Sequence, residues 1–149
     1  AATFNCQQTL WLDALTHNHI EEMSGMNFMA IRNNKLITPA LTDTILAGIT
    51  RDSILTIAQD LGLETSEERL DINSIIQGLK TGEVSEAFAC GTAVIIAPIT
   101  KFVEENQSEV LSPSPSGDWS MKLRKKLLDI QEGRETGPRG WSVKVEKTY

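Results

Sequence analysis

Three observations predict a mixed α/β fold (α+β) for this sequence. Short apolar segments that alternate like strands are interleaved with longer segments of helical spacing. Some strand-like segments are separated only by tight turns, and such hairpins favour a mixed sheet over a doubly wound parallel one. Hydrophobic residues make up 40% of the 149 residues, which is enough for one packed domain over residues 1–149.

The first third of the chain predicts four strands, two of them joined in a hairpin. Asn33-Asn34 has the composition of a tight turn, and Pro39 should end the strand that follows it. The strands are predicted at Thr9–Asp13, Ile20–Glu22, Met26–Arg32 and Lys35–Thr38.

The middle third predicts two helices separated by a strand. Thr50 is a suitable N-cap for the first helix, Asp52 would lie at the positive end of its dipole, and Gly62 would end it. The other elements are a strand at Leu63–Leu70 and a second helix, capped by Asp71, that runs to about Lys80 and ends at Thr81-Gly82.

The last third predicts strands on both sides of a glycine turn, then a long polar loop and a helix. The loop contains Ser-Pro-Ser-Pro-Ser-Gly, which is typical of a mobile surface segment. The predicted elements are strands at Val84–Cys90 and Ala93–Phe102 around Gly91-Thr92, the loop at Glu104–Gly117, a helix at Trp119–Glu132 capped by Asp118, and a closing strand at Trp141–Val145.

Composition excludes several classes of partner. The chain has 14 basic and 20 acidic residues, a net charge of −6, which argues against binding to nucleic acid. The longest apolar run, Ala93–Ile99, has the length of one strand and is too short for a membrane span. Cys6 and Cys90 lie too far apart for a disulfide framework, which favours a reducing, cytoplasmic location. His17 and His19 have no further ligand nearby in sequence, so we expect no metal site.

Three short motifs could carry chemistry. Leu46–Asp52 leads through Gly48 into a helix, and the first turn of a helix can bind an anion through its free N–H groups. Cys90–Ala93 forms a glycine turn between strands, where consecutive N–H groups can grip a phosphate or carboxylate. Glu21-Glu22 would need a cationic partner, such as a protonated pyridine nitrogen, if one glutamate faced inward. Taken singly, these motifs are more simply an ordinary capped helix, a β-bulge and two solvated side chains.

Taken together and in order, these motifs resemble a known family. Glu-Glu-x-x-x-Met-Asn, Leu-x-Gly-Ile-Thr-Arg and Gly-Thr-Ala are similar to the fold-type IV aminotransferases, and more closely to the branched-chain amino acid aminotransferases. Leu10–Ala14 (LWLDA) and Leu127–Glu135 (LLDIQEGRE) are similar to segments of that subfamily. The resemblance implies the C-terminal large domain of the D-amino acid aminotransferase-like fold, a pseudo-barrel sheet with flanking helices, in a homodimer.

The resemblance also implies roles for individual residues. Glu22 would pair with the pyridine nitrogen of pyridoxal 5′-phosphate, and Leu46 would pack near its ring. The phosphate would be bound by the helix start and by the glycine turn, at Gly48, Ile49, Thr50, Gly91 and Thr92. Thr92 and Ala93 would lie in the turn that receives the substrate carboxylate.

The chain departs from the family pattern in three places. Val94 and Ala97 stand where human-type members have a Cys-x-x-Cys pair, so no thiol switch is expected. Gly25 stands where some relatives have Thr, which removes one hydroxyl from the cofactor site. None of the eight lysines, at positions 35, 80, 101, 122, 125, 126, 144 and 147, is at the position of the catalytic lysine, which relatives carry upstream of LWLDA.

We therefore expect part of a transaminase acting on Leu, Ile or Val and 2-oxoglutarate, without the catalytic lysine and the small N-terminal domain, and inactive by itself. Two alternatives remain open. One is a fold-type IV relative such as a D-amino acid transaminase or an aminodeoxychorismate lyase. The other is a non-catalytic binding or oligomerisation module that retains the fold.

Overall fold

The fold consists of a mixed sheet with helices on both faces. This computed structural model describes residues 4–104, 108–111, 117–143 and 145. The strands are β1 Leu10–Leu12, β2 Ile20–Met23, β3 Met26–Arg32, β4 Lys35–Pro39, β5 Glu64–Glu68, β6 Val84–Gly91, β7 Ile95–Pro98, β8 Lys101–Val103 and β9 Glu109–Leu111. The helices are α1 Ile49–Asp60, α2 Ile72–Thr81 and α3 Asp118–Gln131, and a short 3₁₀ turn follows at Pro138–Gly140.

Strand β3 is the branch point of the sheet. One of its edges pairs with β6 from Asn27↔Cys90 to Arg32↔Val84. The other edge pairs first with β2, at Glu22↔Asn27, and then with β4. Strand β5 adds to β4 in parallel, and the remaining neighbours pair antiparallel. The result is the mixed sheet that the sequence predicts.

The sheet does not close into a barrel within the described residues. An isolated bridge, His19↔Asp71, and a hydrogen bond from the Ile20 N–H to the Leu70 carbonyl (2.9 Å) connect the segment after β5 to the start of β2. Strands β8 and β9 form a separate two-stranded sheet. The expected pseudo-barrel is therefore open in this chain.

Both faces of the central strands are buried, which explains their nearly continuous apolar runs. Met29, Ile31 and Phe88 belong to a core cluster that includes side chains of α1 and α3. Phe28 and Ala30 belong to a second cluster with α2 and Val110 of β9. The alternation of neighbouring residues between the two clusters is the period of two expected for a strand. Among the described residues, no helix is long and apolar enough to span a bilayer.

The predicted turns and one predicted cap are confirmed. Asn33 and Asn34 have φ of 50° and 57°, as a two-residue hairpin turn requires. Asp71 caps α2 by accepting a hydrogen bond from the Ser74 N–H (2.8 Å), and Gly82, at φ 83°, ends the helix. Gly62, at φ 80°, follows α1 as predicted.

Two other predicted caps are wrong. Gly48 occupies the N-cap of α1 and Thr50 already lies within the helix; Gly117 precedes α3 and Asp118 is its first residue. Neither glycine can supply a side-chain cap. At α3 the cap comes from the distant Glu86, which the local sequence pattern could not reveal.

The chain after Gly91 also differs from the prediction. The predicted strand Ala93–Phe102 is divided into β7 and β8 because β8 pairs with β9 instead of continuing along β6. Strand β9 lies inside the predicted loop Glu104–Gly117; residues 105–107 and 112–116 of that loop lie outside the described residues, and its mobility stays a prediction. Residues 141–143 form no strand, since the 3₁₀ turn precedes them and the Ser142 hydroxyl bonds to the Ile130 carbonyl; Lys144 lies outside the described residues. Strand β4 ends at Pro39, which pairs with Glu68, so the strand is one residue longer than the predicted Lys35–Thr38.

Candidate cofactor site

Three segments that are far apart in sequence line one cleft. These are the β2–β3 hairpin, the start of α1 and the turn between β6 and β7. The cleft has a volume of about 100 Å³. Its lining residues are Glu22, Gly25, Met26, Asn27, Leu46, Gly48, Ile49, Thr50, Cys90, Gly91 and Thr92.

Seven of the eight residues singled out from the sequence line this cleft: Glu22, Leu46, Gly48, Ile49, Thr50, Gly91 and Thr92. Ala93 is exposed in the same turn as Thr92 and is not among the lining residues. The three sequence motifs thus lie close together in space, although they belong to segments that are far apart in sequence.

Glu22 lies on β2 beside the chain segment that leads into α1. Its Oε2 accepts a hydrogen bond from the Leu46 N–H at 3.3 Å. The neighbouring Glu21 is bonded to a different group, since its Oε1 accepts from the Thr44 hydroxyl at 2.6 Å. Adjacent residues of a strand point to opposite faces, so only one glutamate of the pair lines the cleft.

The start of α1 presents uncapped N–H groups. Gly48 has no side chain to cap the helix, and the first helical bond runs from the Asp52 N–H to the Gly48 carbonyl (3.1 Å). The N–H groups of Ile49 and Thr50 precede that bond and have no acceptor within the helix. Because helix N-termini carry a positive partial charge, this arrangement can bind an anion.

Arg51 does not line the cleft. Its side chain is buried, and Nη2 donates to the Pro39 carbonyl (2.8 Å) and to Glu67 Oε2 (2.5 Å). The guanidinium therefore ties α1 to β4 and β5. The residues of α1 that do line this end of the cleft are Ile49 and Thr50, which offer backbone N–H groups and the Thr50 hydroxyl.

The turn between β6 and β7 approaches the β2–β3 hairpin closely. A Cβ added to Gly91 would lie 3.3 Å from the Met26 Cγ, so a larger residue would crowd the hairpin. Ile95, at the end of the turn, has φ 66°, a conformation that is strained for a β-branched residue. Thr92 is exposed at the tip of this tightly constrained turn.

Cys90 lines the cleft without being a reactive thiol. Burial raises the pKa of its thiol to about 12, and the nearby charge of Arg51 lowers the pKa only in part. The thiol is therefore protonated at neutral pH, and its role is that of a small buried side chain.

The histidine pair belongs to a structural turn. His19 Nδ1 lies 3.3 Å from the Asp13 carboxylate, and Thr16 also bonds to that carboxylate. The hydrogen bond from the His19 backbone N–H is the main cause that holds the pKa of Asp13 well below its usual range. In the part of the chain that the structure describes, no three His, Cys, Asp or Glu side chains are grouped to hold a metal ion.

None of the six lysines within the described residues lines the cleft. Several form ion pairs with acidic side chains elsewhere: Lys35 with Glu64, Lys101 with Glu109, Lys125 with Asp129 and Lys126 with Glu135. The LLDIQEGRE segment forms the end of α3 and the turn after it, where Asp129 binds both Lys125 and Arg134. No residue of that segment lines the cleft.

Sequence reasoning assigned no role to two residues that shape the site. Asn27 is buried in β3 and bonds to the Leu46 carbonyl, and Arg51 anchors α1. Asn27 is the last residue of the motif Glu-Glu-x-x-x-Met-Asn and a single amide side chain inside the apolar run Met26–Arg32. Arg51 is the last residue of the motif Leu-x-Gly-Ile-Thr-Arg, but its partners belong to other strands and are not visible in the local sequence.

The mixed α/β domain thus brings a strand, a helix start and a glycine turn together at one cleft. Residues 1–102 match the family model described as amino-transferase class IV. The chain belongs to the class IV aminotransferases.

Two similar members of the class are both described as branched-chain-amino-acid aminotransferases. The chain is 40% identical over 141 residues to a probable branched-chain-amino-acid aminotransferase of Streptomyces coelicolor, covering 95% of this chain and 39% of the relative. It is 39% identical over 150 residues to the branched-chain-amino-acid aminotransferase of Mycobacterium tuberculosis, covering 97% and 40%. The chain thus spans about two fifths of the length of these relatives.

Solved structures of the same description share the fold. The branched-chain amino acid aminotransferase of Escherichia coli is similar with a TM-score of 0.79 and 27% identity, over 95% of this chain and 42% of that one. The enzyme of Thermobaculum terrenum in its PLP form is similar with a TM-score of 0.77 and 30% identity, over 91% and 40%. These similarities confirm the predicted fold class.

Proposed function

We propose that these residues form the cofactor-holding part of a branched-chain amino acid aminotransferase, which uses pyridoxal 5′-phosphate to transfer the amino group between Leu, Ile or Val and 2-oxoglutarate. One observation carries the proposal. A carboxylate, an uncapped helix start and a threonine-bearing glycine turn line a single cleft, in a chain similar to such enzymes.

The residues of the cleft fit the cofactor. Pyridoxal phosphate needs a carboxylate near its ring nitrogen and hydrogen-bond donors around its phosphate. Glu22 supplies the first, while the N–H groups of Ile49 and Thr50 with the hydroxyls of Thr50 and Thr92 supply the second. Gly48 and Gly91 both line the cleft, and a Cβ at either position would press on a neighbouring side chain, that of Asn27 or of Met26.

Each residue has a task that follows from its position. When bound, the cofactor supplies an electron sink for the carbanion formed at the amino acid. Glu22 stabilises the protonated ring nitrogen and so strengthens that sink. The start of α1 and Thr92 hold the phosphate and thereby orient the ring, and Leu46 limits the freedom of the ring at the rim. Thr92 and Ala93 also lie in the turn proposed to receive the substrate carboxylate.

Proton transfer requires a lysine from elsewhere in the protein. None of the lysines within the described residues lines the cleft. We infer that the 149 residues alone are inactive, because none of their eight lysines is at the position that the resemblance assigns to the catalytic lysine.

The small volume of the cleft supports a pocket completed by other parts of the protein. Its volume of about 100 Å³ is well below the roughly 300 Å³ at which small-molecule pockets usually begin. Leu46, Ile49 and Val94 expose apolar side chains at or beside the cleft. We propose that a second domain and a second subunit cover these side chains in a homodimer.

The location proposed for the enzyme is the cytoplasm. Cys6 and Cys90 are both free thiols in the structure, as expected for a chain that does not depend on oxidation. Fractionation of the source cells tests this part of the proposal; recovery outside the cytoplasm would contradict it.

Amino transfer by the full-length protein tests the function. With leucine, isoleucine or valine as donor and 2-oxoglutarate as acceptor, we expect turnover that Glu22→Gln lowers on the order of 100-fold, since the ring nitrogen loses its counter-charge. Glu21→Gln is the matched control, because the Glu21 carboxylate accepts from the Thr44 hydroxyl and does not line the cleft, and the change should alter turnover less than about threefold.

The same assay separates the alternatives. Turnover of D-alanine or of aminodeoxychorismate, with none of branched-chain donors, would replace the proposed substrates with those of another fold-type IV enzyme. No turnover and no cofactor binding by the full-length protein would favour a non-catalytic module. Equal losses in Glu22→Gln and Glu21→Gln would contradict the role of Glu22.

A further inference from the structure

Asn27 is a buried polar residue with a bond outside its own strand. It is 5% exposed within the apolar β3, where an unpaired amide would be costly. Its Nδ2 donates to the Leu46 carbonyl at 2.8 Å, 19 residues further along the chain. The amide therefore fixes the segment that enters α1 to the strand that carries the hairpin.

Gly48 fits against the same amide. A Cβ added at Gly48 would overlap Asn27 Oδ1 and lie 3.4 Å from its Cγ. The backbone of Gly48, with φ −68° and ψ 131°, is one that any residue can adopt. Glycine is therefore required at this N-cap by the space that Asn27 occupies, and not by the backbone conformation.

Leu46 connects this contact to both ends of the cleft. Its carbonyl accepts from Asn27 Nδ2 and from the Gly48 N–H (2.8 Å). Its own N–H donates to the Glu22 carboxylate. The position of the first turn of α1 relative to Glu22 thus depends on hydrogen bonds that meet at one residue.

We propose that Asn27 is a positioning residue: by holding Leu46 and filling the space beside Gly48, it places the N–H groups of Ile49 and Thr50 where the cofactor phosphate binds. This inference rests on the proposed function. Loss of the Asn27 side chain should therefore weaken binding of the phosphate and not only lower stability. Because Asn27 and Gly48 are in steric contact, the effects of substituting them should depend on each other.

A double-mutant cycle in the full-length protein tests the coupling. Asn27→Ala should lower the affinity for pyridoxal phosphate about tenfold, because α1 loses its anchor. Gly48→Ala alone should lower the affinity by more than that, because the added methyl group displaces the helix start. In the double variant the methyl group has room, so the affinity should recover to that of Asn27→Ala. Strictly additive losses would overturn the proposal.

Pyridoxal without the phosphate shows which end of the site is affected. Asn27→Ala should change the affinity for pyridoxal less than about twofold, since the helix start no longer takes part. Equal losses for both ligands would overturn the proposal in favour of a general disturbance of the cleft.

Thr38→Val is the matched control for loss of a buried hydrogen bond. Thr38 donates to the Phe28 carbonyl at 2.7 Å within the same sheet and does not line the cleft. It should lower the melting temperature, as Asn27→Ala does, with unchanged affinity for pyridoxal phosphate. A comparable loss of affinity in Thr38→Val would show that stability alone explains the result. Absence of binding by the unaltered protein would overturn the proposed function itself, whereas normal binding by Asn27→Ala would overturn only the role of Asn27.

Discussion

Helices α1 and α3 both follow a glycine, but their first N–H groups have different partners. Each follows a glycine at its N-cap, and neither has a cap from its own segment. At α3, the buried Glu86 of β6 accepts from the Trp119 N–H (2.8 Å) and the Ser120 N–H (2.9 Å). At α1, the neighbouring side chain is the neutral amide of Asn27.

The difference separates a helix start that is capped within the fold from one whose N–H groups remain available to a ligand. At α3 a carboxylate of the chain permanently satisfies the positive end of the helix, and a Cβ at Gly117 would lie only 2.5 Å from Glu86 Oε2. At α1 the corresponding donors face the cleft, where a phosphate can take the place that a carboxylate takes at α3. The first arrangement should contribute stability, and the second affinity.

The largest expected effect is on stability, in Glu86→Ala. Removal of the carboxylate leaves two N–H groups without an acceptor at a site where Glu86 itself is only 3% exposed. We expect the free energy of unfolding to fall by about 2–4 kcal/mol, by urea denaturation, with affinity for pyridoxal phosphate unchanged. The exposed Glu83→Ala is the control, with a loss within about 0.5 kcal/mol. A tenfold loss of affinity in Glu86→Ala would break the comparison.

Ile49→Asp should make the start of α1 resemble that of α3. Ile49 is 82% exposed, so little burial is lost, and a carboxylate in the first turn should stabilise the helix by about 0.3–1 kcal/mol. The same charge should repel a phosphate and lower the affinity for pyridoxal phosphate about tenfold, as measured by fluorescence titration. Leu15→Asp, at an 89% exposed residue outside the cleft, should leave the affinity unchanged. Unchanged affinity in Ile49→Asp would place the phosphate elsewhere.

Asp71→Ala provides an intermediate case at α2. The Asp71 carboxylate is an ordinary cap from the adjoining residue, bonded to the Ser74 N–H at 2.8 Å. Its loss should cost about 1 kcal/mol of unfolding free energy and leave cofactor affinity unaffected. A loss as large as that of Glu86→Ala would mean that burial of the cap has no influence on its contribution.

The smallest effect is expected on the reactivity of Cys90, which lines the same cleft as the start of α1. Helix starts often lower the pKa of a thiol, but here burial raises the pKa of Cys90 to about 12. The raised pKa favours folding fully below the ordinary thiol value, and this contribution is lost as the pH rises toward 12. At pH 8, mass spectrometry after iodoacetamide treatment should show labelling of the partly exposed Cys6 and none of native Cys90. Equal labelling of both would contradict the burial of Cys90.

Local patterns predicted the elements whose causes are local. Asn33 and Asn34 favour a turn by themselves, and Asp71 caps α2 by accepting from the Ser74 N–H, only three residues further along the chain. The family resemblance carried by the ordered motifs also singled out seven of the residues that line the cleft, although each motif taken singly did not.

The failures concern contacts between distant segments. Thr50 and Asp118 have the composition of caps, but the helices begin earlier, and the actual partner of α3 is Glu86, more than 30 residues upstream in sequence. The break between β7 and β8 depends on pairing with β9, which lies beyond the strand itself. Such choices are made by tertiary packing, which a periodicity within one segment does not contain.

The contact between Asn27 and Gly48 has a consequence for how this protein can diverge. A lineage that acquired a side chain at position 48 while retaining Asn27 would pass through a distorted helix start. If Asn27 became smaller first, the same change at position 48 would be tolerated. The order of the two substitutions therefore decides which evolutionary path is open, although both orders lead to the same final pair.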